Sequence, residues 1–214
     1  MKSEIISALV ESGVFAVIRA DSIEKATKLA KACADGGIKG LEITFTVPGA
    51  DKVIENLIAN QGQNNYIVGA GTVLDKTTAR IAIMKGAKFI VSPSFNKDVA
   101  KMCNLYQIPY IAGCYTITEI ITAMEYGVEI CKIFPGSVAS PKYIKAVHGP
   151  LPQANLMPTG GVSVENADEW IKSGAIAIGA GSALTKPALK NDYVGVTKLA
   201  KEFIAKVQQA RKEI

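Results

Sequence analysis

The segment Tyr126-Gly127-Val128-Glu129-Ile130-Cys131-Lys132-Ile133-Phe134-Pro135-Gly136 joins the end of one helix to a strand. Residues 118–126 have helical patterning, and Gly127 stands where a glycine in the left-handed conformation ends a helix. Residues 130–134 form a short apolar run of β type. A strand that follows a helix almost without connection belongs to a parallel βαβ unit.

The same unit recurs outward in both directions. Strand-like runs are expected at residues 15–19, 40–45, 66–71, 89–92, 110–113, 130–134, 156–159 and 175–179. Helical stretches at 23–35, 51–60, 76–85, 97–106, 118–126, 141–147 and 164–172 lie between them. Gly36-Gly37, Gly86 and Gly174 repeat the punctuation of Gly127. Eight strand candidates select an α/β fold of the TIM (β/α)8 type over an open doubly wound sheet, and no G-x-G-x-x-G follows the first strand. An extra N-terminal helix, about residues 3–12, is expected to plug the barrel bottom. A C-terminal helix, about 192–211, is expected to complete the outer ring. No linker or low-complexity stretch interrupts the pattern, so residues 1–214 read as a single barrel domain.

Composition narrows the chemistry. The net charge of +5 comes from scattered lysines, which disfavours nucleic acid as a partner and favours anionic metabolites. No apolar run approaches the roughly 20 residues that span a bilayer, and Glu4 and Glu11 break the N-terminal apolar pattern, so a cytoplasmic protein without membrane partners is expected. Cys33, Cys103, Cys114 and Cys131 stand singly, which argues for reduced thiols rather than disulfides or zinc. His148 is the only histidine, so His-based metal sites and Ser-His-Asp triads are nearly excluded. His148, Trp170 and the cysteines are assigned to surface or packing roles. Chemistry here falls to lysine, carboxylates, hydroxyls and backbone amides.

Active sites of such barrels sit at the C-terminal ends of the strands. Alternation along strand six turns Cys131 and Ile133 outward and Lys132 toward the barrel axis. A confined apolar setting disfavours the charged form of an amine and frees it to attack a carbonyl. A structural lysine neutralised by a carboxylate is the competing interpretation. In strand two Glu42 and Thr44 point inward, and strands two and six face each other across an eight-stranded barrel. Glu42 is therefore a candidate proton carrier beside an imine, or merely the counter-ion of the lysine. Pro158-Thr159-Gly160-Gly161-Val162 and Gly179-Ala180-Gly181-Ser182 follow strands seven and eight. Loops at those places, with a short helix, form the usual phosphate site of these barrels, although turns need glycine anyway. Arg19 is a candidate for binding a carboxylate or phosphate, or for a surface ion pair. Thr72 is a candidate substrate contact, or a helix N-cap. Pro93 and Phe134 are expected to shape the pocket wall.

Together Val17-Ile18-Arg19, Leu41-Glu42-Ile43-Thr44, Val68-Gly69-Ala70-Gly71-Thr72, Val91-Ser92-Pro93, Lys132-Ile133-Phe134-Pro135-Gly136, Pro158-Thr159-Gly160-Gly161-Val162 and Gly181-Ser182 resemble the class I 2-keto-3-deoxy-6-phosphogluconate (KDPG)/4-hydroxy-2-oxoglutarate (KHG) aldolases, in order over almost the whole chain. The resemblance implies reversible cleavage of a 2-keto-3-deoxy-6-phospho sugar acid to pyruvate and glyceraldehyde 3-phosphate. It implies a Schiff base on Lys132, proton transfer by Glu42, pyruvate recognition around Thr72, and phosphate contacts around Gly160, Gly161 and Ser182. It also implies a homotrimer with no metal or organic cofactor. Many members carry an arginine two residues after the second-strand threonine, where this chain has Thr46. That departure moves carboxylate binding to Arg19, Thr72 or backbone amides. A 2-keto-3-deoxy-6-phosphogalactonate aldolase, a non-covalent phosphosugar isomerase or epimerase using Glu42 as base, and a non-catalytic sugar-phosphate binder are the rival functions.

Overall fold

A computed structural model describes residues 2–62 and 65–214. Its strands are β1 (Val14–Ile18), β2 (Gly40–Thr44), β3 (Ile67–Gly71), β4 (Ile90–Val91), β5 (Tyr110–Cys114), β6 (Ile130–Ile133), β7 (Leu156–Pro158) and β8 (Ile178–Ala180). All pair in parallel, in the order β7-β6-β5-β4-β3-β2-β1-β8. The barrel closes where Ile176 N–H donates to the Leu156 carbonyl, 3.0 Å away, and through a parallel bridge between Thr159 and Gly179. This is the expected (β/α)8 barrel.

The helices are α1 (Lys2–Ser12), α2 (Ile23–Asp35), α3 (Ala50–Ala59), α4 (Lys76–Met84), α5 (Lys97–Leu105), α6 (Ile117–Glu125), α7 (Pro141–His148), α8 (Ala167–Lys172), α9 (Ser182–Thr185) and α10 (Tyr193–Lys212), with a 3-10 turn at Lys186–Lys190. At the end of α6 the Gly127 N–H donates to Met124 O and the Val128 N–H to Ala123 O, with Gly127 at φ 76°. That paired bonding satisfies carbonyls the helix would otherwise strand, and the left-handed residue costs glycine little. The same bonding recurs after α2, α4 and α8. After α5 it uses Gln107 at φ 55°, so the glycine rule missed this helix end.

Strand eight starts later than the expected 175–179. The Ala175 N–H is spent on Trp170 O in the α8 cap, and the ladder to β1 begins only at Ile178.

Alternation sorts the apolar residues into two cores. Val14, Ala16, Ile18, Leu41, Ile43, Cys131 and Ile133 face the helices. Phe15, Phe89, Val91, Ile111, Ile130 and Met157 fill the barrel interior, and Leu9 of α1 seals it from below as the plug. Phe15 and Phe89 meet edge to face, with centroids 5.6 Å apart. From α10, Arg211 donates to Glu11 O (2.8 Å), Val10 O (2.7 Å) and Ile176 O (2.6 Å), bolting the end of α1 to the barrel. Charge-assisted bonds of this kind rigidify the closed end. The polar layer above, at the strands' C-terminal ends, is where function can reside. Among the described residues no helix is long and apolar enough to cross a membrane.

Candidate active site

Immediately above the apolar interior, two charged side chains share the barrel axis. Lys132 is 3% exposed and Glu42 is fully buried, and Lys132 Nζ lies 3.6 Å from Glu42 Oε1. That spacing is an ion-pair contact, longer than a hydrogen bond. Both Glu42 oxygens are buried with no hydrogen-bond partner. A carboxylate taken out of water is normally tied down by several donors, because its desolvation is costly. Here both oxygens stay open to donors. Lys132 Nζ also sits 5.2 Å from the Phe134 ring centroid, which adds a cation–π attraction. The arrangement brings a nucleophilic nitrogen and a proton acceptor together in a site shielded from water.

Several candidates surround the pair. Thr72, the residue after β3, adopts φ 56°. A β-branched residue in the left-handed region is strained, and such strain persists where the surrounding structure enforces it. The capping alternative falls to Asp75, which accepts the Thr77 and Thr78 N–H groups at the start of α4. Thr44 is fully buried, but its hydroxyl donates to Ile18 O (2.9 Å) and lies 2.8 Å from the Thr46 hydroxyl. It therefore braces β2 against the end of β1. Pro93 projects its carbonyl over β5: a Cβ on Gly113 would fall 2.0 Å from that oxygen.

The remaining candidates converge on one cavity of about 270 Å³, lined by Arg19, Phe134, Thr159, Gly160, Gly161, Gly181 and Ser182. Arg19 is exposed and turns toward β8, with Nη1 3.5 Å from the place of a Gly181 Cβ. Gly160 and Gly161 are both left-handed, at φ 89° and 70°, a pair of conformations open to glycine at little cost. Thr159 is buried, and its Oγ1 has no hydrogen-bond partner. A larger cavity of about 550 Å³ lies on the other side of Arg19, against Lys25, Asn191 and Tyr193. Neither cavity is lined by Lys132 or Glu42, but the smaller one is walled by Phe134, whose ring centroid lies 5.2 Å from Lys132 Nζ.

His148 bonds the Ala154 carbonyl at 2.9 Å, and Trp170 and all four cysteines are buried. Burial pushes the Cys33 and Cys103 thiols up to about 12, away from reactivity. Two glycines that line the site, Gly71 and Gly113, were missed in the sequence. The available signal was a glycine inside a strand, which marks a close approach of other atoms.

Known proteins match this chain throughout. The family model "KDPG and KHG aldolase" matches residues 5–199. A KHG/KDPG aldolase of Escherichia coli (strain K12) is 32% identical over 206 residues, covering 95% of this chain and 96% of its own. A 2-dehydro-3-deoxy-6-phosphogalactonate aldolase of the same strain is 33% identical over 172 residues, 80% of this chain and 83% of its own. The solved KDPG aldolase of Legionella pneumophila, with pyruvate captured at low pH as a covalent carbinolamine, superposes with a TM-score of 0.83 at 30% identity. That superposition covers 91% of this chain and 95% of the other.

Proposed function

Because the chain belongs to the KDPG and KHG aldolase family, a family of lyases, we propose that it cleaves 2-keto-3-deoxy-6-phosphogluconate reversibly to pyruvate and glyceraldehyde 3-phosphate. The observation that carries this reading is the buried Lys132–Glu42 pair at 3.6 Å, whose carboxylate has no other partner.

In this reading Lys132 attacks the substrate's C2 carbonyl as the neutral amine, giving a carbinolamine. Loss of water from it leaves a protonated imine on Nζ. Glu42, reached directly or through one water, takes the proton from the C4 hydroxyl. The C3–C4 bond then breaks, its electron pair moves into the imine, and glyceraldehyde 3-phosphate departs. The remaining enamine takes at C3 the proton that Glu42 now carries, and water hydrolyses the resulting imine to pyruvate, which returns Lys132 and Glu42 to their starting states. Arg19, the Gly160-Gly161 turn and Ser182 hold the phosphate in this reading, with Thr159 and Gly181 beside them. Thr72 and Pro93 face the pyruvate end, and Phe134 walls the site. No metal or organic cofactor takes part in this scheme.

Arg19→Ala is expected to raise KM for the phosphorylated substrate by about 10- to 100-fold, the scale of lost charge-assisted hydrogen bonds. KM for unphosphorylated 4-hydroxy-2-oxoglutarate should stay nearly unchanged. A pyruvate-release assay on the gluconate- and galactonate-derived phosphates and on 4-hydroxy-2-oxoglutarate, with both proteins, checks this and ranks the substrates. Equal losses on all three would remove Arg19 from phosphate binding.

The reading takes the chain as one catalytic domain that assembles as a homotrimer in the cytoplasm. Apolar side chains standing out from the α4–α5 side of the barrel support the assembly. Met84, at the end of α4, is 70% exposed and Leu105, at the end of α5, 72%. Four buried free thiols support a reducing compartment.

A further inference from the structure

We propose that Gly71 is a positioning residue for Glu42: the side chain missing from this point of β3 is the space that the carboxylate occupies beside Lys132. The inference rests on the reading of Glu42 as the proton carrier.

Glu42 pairs in register with Gly69, and Thr44 with Gly71, so both glycines lie where β3 borders the inward row of β2. Each vacancy has its own occupant. A Cβ on Gly69 would meet the Phe89 ring at 2.5 Å. A Cβ on Gly71 would lie 2.1 Å from Glu42 Oε1, 2.5 Å from Cγ and 2.6 Å from Cδ. These distances are too short for any real contact, so an added methyl group must drive the Glu42 side chain away.

Backbone geometry does not ask for glycine at 71. Gly71 is absent from the positive-φ residues, and its strand conformation is open to any amino acid. Glycine weakens a strand, so its presence in the barrel wall points to a steric demand. The demand comes from Glu42. Neither of its oxygens has a hydrogen-bond partner, so only packing and the attraction of Lys132 at 3.6 Å set where the carboxylate rests. A group that no hydrogen bond fixes moves when the packing around it changes. The atoms nearest to a Cβ on Gly71 all belong to Glu42 and none to Lys132.

The test compares Gly71→Ala in two backgrounds, native and Glu42→Gln. In the native background kcat for cleavage should fall about 100-fold, the scale of an ångström-sized misplacement of a catalytic group. Exchange of the pyruvate methyl protons with solvent should fall with it. KM should hardly change, and borohydride should still fix pyruvate to Lys132. In the Glu42→Gln background Gly71→Ala should cost almost nothing more, because the two residues act as one unit. An unchanged kcat for Gly71→Ala, or the same fold-loss in both backgrounds, overturns the proposal. Should Gly71→Ala melt far below the native protein, the same substitution should cost far less in a Glu42→Ala background, where the contested space is already empty, than in the native one. An equal loss of melting temperature in both backgrounds also overturns it. Native-like turnover by Glu42→Gln alone would instead sink the proton-carrier reading, while the melting comparison would still judge the steric placement.

Discussion

Lys132→Met is expected to stop carbon–carbon cleavage, lowering kcat by more than about 10⁴-fold, the order seen when the nucleophile of a covalent mechanism is removed. Methionine keeps much of the volume and the unbranched stem but carries no amine, so neither carbinolamine nor imine can form. Borohydride with pyruvate should add a stable mass to the native protein at Lys132 and none to the variant, as intact-mass and peptide spectrometry would show. Substantial cleavage by the variant would show that the reaction does not pass through an imine on Lys132.

The same substitution carries a stability cost. Lys132 and Glu42 are both buried and, among the described residues, are each other's only ionic partner. Removing one member of such a pair leaves an uncompensated charge and costs about 3–5 kcal/mol. Adding Glu42→Gln to Lys132→Met should recover most of that loss, because no ion is then left in the barrel. Thermal melting of the native, single and double variants reads this directly.

Glu42→Gln is expected to lower kcat by about 10²- to 10⁴-fold, the range of a positioned general acid–base. Glutamine is nearly isosteric, so the pocket and the access of pyruvate to Lys132 should survive. The signature is a split result: borohydride still traps pyruvate on Lys132, while solvent exchange at the pyruvate methyl collapses. If trapping vanished together with turnover, the carboxylate would be needed first for the imine itself. Were turnover native-like, Glu42 would be only a counter-ion. The unpartnered oxygens of Glu42 favour the split result, since a purely structural carboxylate would be expected to collect donors.

Much of the site was legible because alternation is a local property. Placing Lys132 and Glu42 on inward-facing strand positions required only counting by twos within residues 130–134 and 40–45. Other roles depended on partners far along the chain. Thr44 shows the limit: inward orientation was readable, but its bond to Ile18 O follows from the register of β1 against β2. Thr72 shows another, since its left-handed conformation carries no sequence mark and a β-branched residue is among the last expected there. The start of β8 was misplaced because Ala175 and Ile176 look like strand, while the α8 cap claims the Ala175 N–H.

The sequence by itself determined the barrel, through recurring strand–helix units punctuated at Gly37, Gly86, Gly127 and Gly174, and it determined which residues could be reactive. Periodicity and capping act over a few neighbours, so they survive in a one-dimensional reading. Only the tertiary structure decided that Glu42 and Lys132 stand 3.6 Å apart with no hydrogen-bond donor on the carboxylate, and that Arg19 joins the glycines that follow β7 and β8 around one cavity. It alone showed that Gly71 leaves room for a carboxylate from the neighbouring strand. Those facts are distances across a closed barrel, where strands remote in the chain meet at their C-terminal ends and each vacant Cβ is filled by whatever the opposing packing supplies.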